Sequence, residues 1–117
     1  MSKGGNLAGL RRATVTDAMG RLPGPGGERF AEVLGHGSMK VEIYAPRGTD
    51  PQAPHTRDEL YVVVNGTGTF ANGPERHPFG PGDVLLVPAN VEHRFEDFTD
   101  DLAVWVVFYG SEGGEAG

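Results

Sequence analysis

The stretch that decides the fold is Pro81-Gly82-Asp83-Val84-Leu85-Leu86-Val87-Pro88-Ala89-Asn90-Val91-Glu92-His93-Arg94-Phe95. Pro-Gly-Asp is turn chemistry, because proline presets φ and glycine accepts the positive φ that other residues resist. Val84 to Val87 is apolar, too short for a helix and bounded by breakers, so it reads as a short buried strand. Pro88 ends that strand. A second strand opens at His93 and alternates through Phe98.

The same grammar extends in both directions. Upstream, Met39, Val41 and Ile43 alternate with Lys40, Glu42 and Tyr44, the pattern of a half-buried strand. Leu60 to Val64 is β-branched and aromatic, and Asn65-Gly66 then predicts a hairpin turn into Thr67–Ala71. Asn72-Gly73 predicts another turn. Downstream, Leu102 to Tyr109 is apolar on both faces, which suits a strand covered on both sides. The sum is seven to nine short strands at intervals of about ten residues, which indicates an antiparallel sandwich or barrel.

The ends differ in character. Residues 6–22 place Leu7, Leu10, Val15, Ala18, Met19 and Leu22 at roughly helical spacing, with Asn6 as a possible cap and Gly9 and Gly20 weakening the pattern. Pro23-Gly24-Pro25-Gly26-Gly27 breaks it. The organisation expected is an N-terminal arm and linker over 1–27, a β-barrel over 28–110 and a loose, glycine- and acid-rich tail over 111–117.

Composition excludes several classes of function. The chain has 117 residues, enough for one domain. Glycine and proline, 19 and 9 residues, lie between apolar runs and act as punctuation. With no cysteine there is no disulfide, thiolate metal site, iron–sulfur cluster or cysteine nucleophile, so any metal must rest on nitrogen and oxygen donors. A net charge of −6 without a basic stripe argues against nucleic acid or an anionic membrane as partner. The longest apolar run is too short to span a bilayer, and residues 1–6 lack the apolar core of a signal peptide. A soluble cytoplasmic protein is the expectation.

Four histidines remain to be placed, at 36, 55, 77 and 93. In Pro54-His55-Thr56-Arg57-Asp58-Glu59-Leu60-Tyr61, an extended backbone would send 55, 57, 59 and 61 to one side. Together with the stretch from Pro81, this segment resembles the two motifs of the cupin superfamily. His55, Glu59 and Gly66 match the second histidine, the glutamate and the glycine of the first motif. Gly82, Pro88 and His93 match the second motif, in which Asn90 replaces the inner glycine and Asp97 the final asparagine. The resemblance covers about residues 53–97. It implies an antiparallel double-stranded β-helix, that is, a jelly-roll barrel, often a homodimer, with a divalent metal at its centre.

One position departs from the family pattern: Ala53 stands where the motif has its first histidine. The metal ligands implied are therefore His55, Glu59 and His93, two imidazoles and a carboxylate that leave coordination positions open. Iron, manganese, nickel and zinc all accept such donors. Gln52 has the wrong strand parity to replace Ala53 unless the strand bulges, and His36 reads as a turn residue that could supply a ligand from across the barrel. His77 reads as an exposed loop residue. Plainer readings stand beside the metal site: a surface contact between His55 and Glu59, and a strand-start His93 bonded to a loop carbonyl.

Arg57 and Tyr61 share the inward side and are the candidate catalytic residues, Arg57 holding an anionic substrate and Tyr61 donating a hydrogen bond. Their plainer roles are a rim ion pair with Asp58 or Glu42, and core filling. Phe95 and Phe108 are expected to wall the cavity. Glu96, Asp97, Asp100 and Asp101 lack calcium-loop spacing and read as a solvated turn. Three functions compete: a metal-dependent oxygenase, isomerase or lyase acting on a small organic molecule; a small-molecule-binding module that does not turn its ligand over; and a structural barrel with a vestigial site. Fold alone does not choose among them.

Overall fold

The structure, a computed structural model, describes residues 10–115. These form one short helix, α1 (Val15–Met19), and eight strands: β1 (Phe30–His36), β2 (Met39–Tyr44), β3 (Asp58–Asn65), β4 (Gly68–Asn72), β5 (Glu75–Phe79), β6 (Val84–Val87), β7 (His93–Glu96) and β8 (Ala103–Tyr109). They make a five-stranded sheet in the order β1-β2-β8-β3-β6 and a three-stranded sheet in the order β5-β4-β7, paired antiparallel throughout. The fold is all-β.

Alternation explains where the core sits. Tyr61, Val63, Val104 and Val106 of the large sheet meet Phe70, Phe79 and Phe95 of the small one. The Phe70 and Phe95 rings lie 4.7 Å apart, and Phe79 meets Phe95 edge-on at 5.2 Å. Such aromatic pairs each contribute about 0.5–1.5 kcal/mol beyond the area they bury. A second cluster lies under the N-terminal arm, where Ala18 packs with Val33 and Ile43 and is flanked by Leu22, Val41 and Trp105. The two apolar faces read along β8 are thus both covered within one chain: Val104 and Val106 face the barrel, and Trp105 faces the arm. No second subunit is needed to explain them.

Several local expectations change. The helix is one turn and a half. Thr14 caps it, its hydroxyl accepting the Asp17 N–H at 3.1 Å, and Asn6 lies outside the described residues. Asn65-Gly66 does not close a hairpin between paired strands. It is a corner that carries the chain from the large sheet to the small one. Glycine is required there: φ is +98°, and a Cβ would lie 2.7 Å from Leu102 Cα. Strand β6 is not buried. It is a sheet edge, so Val84 and Leu86 are 60% and 53% exposed while Val87 points inward. Of the tail expected to be loose, the described residues 111–115 are bonded back onto the barrel through Gly113 N–H to Thr56 O (2.6 Å) and Glu115 N–H to Asp58 Oδ2 (2.8 Å). No helix among the described residues is long and apolar enough to cross a membrane.

Candidate metal centre

The turn chemistry read at Pro81 builds one side of the site. Gly82 adopts a φ of +89°, Asp83 accepts the Gly80 N–H at 2.8 Å, and the turn is tied to β3 by Val63 N–H to Asp83 O (2.9 Å) and Gly82 N–H to Val63 O (2.8 Å). β6 is thereby registered against β3, with Val87 opposite Glu59. The chain then turns through Pro88 to Val91, where Asn90 holds a φ of +67°. A position that favours glycine is occupied here by the residue that tolerates left-handed backbone next best. Asn90 N–H donates to His55 O at 2.7 Å, which joins the two motif segments directly.

His55, Glu59 and His93 converge. One donor atom from each lies within 4.8 Å of the others. His93 Nε2 is 3.0 Å from Glu59 Oε1, and His55 Nε2 is 3.9 Å from the same oxygen. The His93 and Glu59 side chains are 0% and 1% exposed, yet His93 Nε2 and both Glu59 carboxylate oxygens lack a well-directed hydrogen bond. Buried carboxylates are normally satisfied, because each unpaired group costs about 1–3 kcal/mol or more. His93 Nδ1 lies 2.9 Å from Val91 O, so an Nδ1–H tautomer leaves an Nε2 lone pair facing Glu59 and His55. A buried carboxylate and a buried imidazole nitrogen without well-directed hydrogen bonds, converging with the half-exposed His55 imidazole, fit a divalent cation.

The electrostatics agree with a crowded polar floor. Burial by itself pushes the His93 imidazole down. Glu59, the Val91 carbonyl and the Asp50 charge outweigh it and hold its pKa above the ordinary histidine value. Tyr61 is fully buried, and burial, with the Glu59 charge next, raises its phenol well above the ordinary range, so it stays protonated. Glu42, which lines the adjoining cavity, is raised chiefly by burial against a lowering influence from Lys40.

A cavity of about 690 Å³ opens beside the cluster, large enough for a small metabolite. His55, Gln52, Arg57, Glu42, Lys40 and Phe108 are among its walls. Phe108 stands edge-on to the His55 ring at 5.0 Å. Arg57 makes no ion pair with Asp58 or Glu42. Its Nε donates to Gly110 O at 3.1 Å, and its Nη2 is buried without a partner. Tyr61 Oη donates to Gln52 Oε1 at 2.8 Å, and the Tyr61 ring packs against Phe70, Phe95 and His93. Phe95 is a core residue and not a cavity wall. His36 is exposed at the β1–β2 hairpin, outside the cluster, and His77 is exposed on β5 rather than in a loop.

Two residues at this site escape sequence reasoning. Residues 51–57 are not strand, so the parity that kept Gln52 out does not apply. Gln52 Oε1 comes within 3.4 Å of His55 Nε2. Asp50, in the turn-like run Gly48-Thr49-Asp50-Pro51, carries no sequence signal of burial. It is 5% exposed and accepts four hydrogen bonds, from Tyr44 Oη (2.6 Å), Gln52 N (3.2 Å), Gln52 Nε2 (2.8 Å) and Phe95 N (2.8 Å).

Known proteins resemble this chain in sequence and shape. The uncharacterized protein SCO3923 of Streptomyces coelicolor is 40% identical over 81 residues, 68% of this chain and 77% of that protein. A Cupin 2 conserved barrel domain protein from Salinispora arenicola superposes with a TM-score of 0.59 at 18% identity, covering 70% of this chain and 75% of the other. A chain from the crystal structures of the DMSP lyases RdDddP and RnDddQII gives 0.59 at 24% identity, covering 71% and 47%. At these identities the structural likeness is one of fold. The model of the cupin domain family matches residues 40–109, which include both motif segments and all three clustered donors, and the chain belongs to that family.

Proposed function

We propose that this cupin is a cytoplasmic, homodimeric jelly-roll enzyme that uses a divalent metal held by His55, Glu59 and His93 to transform a small carboxylate-bearing molecule, by chemistry of the oxygenase, isomerase or lyase type. The observation that carries the reading is the set of buried, unpartnered donors on Glu59 and His93 converging with His55. When bound, a divalent ion there supplies Lewis-acid polarisation of a coordinated oxygen. Arg57, a wall of the cavity, binds the substrate carboxylate; its Nη2 makes no hydrogen bond among the described residues, so the guanidinium is not used up by the fold. Tyr61 holds its proton and stiffens the floor through Gln52. Phe108 supports the His55 ring edge-on and gives the cavity an apolar wall beside it. A chain from the DMSP lyase structures shares this fold, which supports keeping lyase chemistry among the candidates and goes no further.

Elemental analysis of protein purified without chelator, beside Glu59→Ala and His93→Ala, tests the metal. Near-stoichiometric metal in wild type and little in the variants is expected; equal low content in all three overturns the reading. A thermal-shift screen of metal-loaded protein against small carboxylic acids, followed by product analysis of the hits, tests catalysis. Stabilisation that disappears in Arg57→Leu, with conversion of the compound, is the expected result. Stabilisation by a compound recovered unchanged points instead to a binding module.

A further inference from the structure

We propose that Gln52 supplies the fourth protein donor of the site, its side-chain carbonyl oxygen taking the coordination position that Ala53 cannot fill. This rests on the metal reading above and deepens it. The first support is orientation. An amide can present either its oxygen or its nitrogen, and here the choice is made by Asp50. The Gln52 nitrogen donates to Asp50 Oδ2 at 2.8 Å, and the Gln52 backbone N–H donates to Asp50 Oδ1 at 3.2 Å. A carboxylate accepts only, so it holds the NH₂ end and turns Oε1 away from itself. The second support is placement. Oε1 lies 3.4 Å from His55 Nε2, whose other near neighbour is Glu59 Oε1 at 3.9 Å.

The third support is that Oε1 is itself held. Tyr61 Oη donates to it at 2.8 Å, and Tyr61 is fixed by its full burial among aromatic rings. A carbonyl oxygen has two lone pairs, so the phenol occupies one and leaves the other for a cation. The phenol on the oxygen and the carboxylate on the nitrogen are the outer contacts expected of a ligand held for a metal. The backbone permits this because the segment before β3 is irregular, so residue 52 reaches inward while Ala53 is exposed. The resulting set of two imidazoles, one carboxylate and one amide oxygen is harder than a three-histidine set and shifts preference toward ions that accept oxygen donors.

Zinc and manganese binding to the full chain, measured by calorimetry, tests the assignment in three proteins: wild type, Gln52→Met, which keeps most of the side-chain volume without the oxygen, and Glu59→Ala. Gln52→Met is expected to weaken binding of both ions by about 10–100-fold. Binding unchanged in Gln52→Met, with Glu59→Ala severely weakened, overturns the role of Gln52 and leaves the three-residue site intact. Wild type binding no tighter than Glu59→Ala overturns the site itself. A crystal structure of the zinc-loaded wild type decides the matter without any variant. Oε1 at about 2.0–2.2 Å from the ion is expected, and Oε1 beyond about 3 Å refutes the assignment.

Discussion

Asp50→Asn is the substitution whose cost the structure lets one work out group by group. Asp50 is buried, and its two oxygens accept four hydrogen bonds: Oδ1 from Tyr44 Oη and Gln52 N, Oδ2 from Gln52 Nε2 and Phe95 N. Asparagine offers one oxygen and one NH₂. The best arrangement keeps the oxygen toward Gln52 Nε2 and Phe95 N and turns the NH₂ toward the other pair. Tyr44 can reverse and accept, which displaces its own proton, but Gln52 N–H is left facing a donor. Two charge-assisted bonds are therefore lost or inverted, and hydrogen bonds to charged groups are worth about 1.5–3 kcal/mol each. With partial relaxation the expected loss is about 2–4 kcal/mol, or about 6–20 °C in Tm for a domain of this size. Urea unfolding of metal-free protein gives the free energy, and an unchanged m-value confirms that the native and denatured states are otherwise alike. A loss below about 0.5 kcal/mol would refute the assignment of Asp50 as the clamp between Tyr44, Gln52 and β7.

Two further outcomes follow from particular contacts. Gly66→Ala places a methyl against the Leu102 backbone at a φ of +98°, and that backbone cannot yield as a flexible side chain would, so a loss of at least about 2 kcal/mol is expected in equilibrium unfolding; a near-neutral variant would show that this corner relaxes freely. Asp58 accepts the Glu115 and Ala89 N–H groups, and these bonds hold its pKa below the ordinary value, so its contribution is present above about pH 3.9 and is lost as pH falls through the lowered folded value. Asp58→Asn should flatten the acid limb of the stability profile, and an unchanged limb contradicts it.

Much of the barrel is legible in the sequence because its strands are short, alternate apolar and polar residues, and are separated by Pro, Gly and Asn. Gly82, Pro88 and His93 sit where the turn and strand grammar sets them, and His55, Glu59 and His93 come together as the motif spacing implies. What eludes sequence reasoning is non-local. The exposure of Val84 and Leu86 depends on which strand ends up at the sheet edge, which no property of β6 announces. Asn65-Gly66 has the chemistry of a hairpin, but the next strand finds its partners in the other sheet. Gln52 is disfavoured, short of a bulge, by a parity that holds only inside a strand, and Asp50 becomes a buried hub only because Tyr44 and Phe95, remote in sequence, meet it.

The placement of the donors on two sheets has a consequence for ion choice. Glu59 belongs to the large sheet and His93 to the small one, and no backbone ladder joins the two. The gap between their ligand atoms is therefore set by how closely the aromatic layer of Phe70, Phe79 and Phe95 lets the sheets approach. Ionic radius is gauged by that layer as a calliper is set by its screw. On the proposed metal reading, drift in these phenylalanines during evolution would retune which ion the barrel favours while every ligand stayed the same.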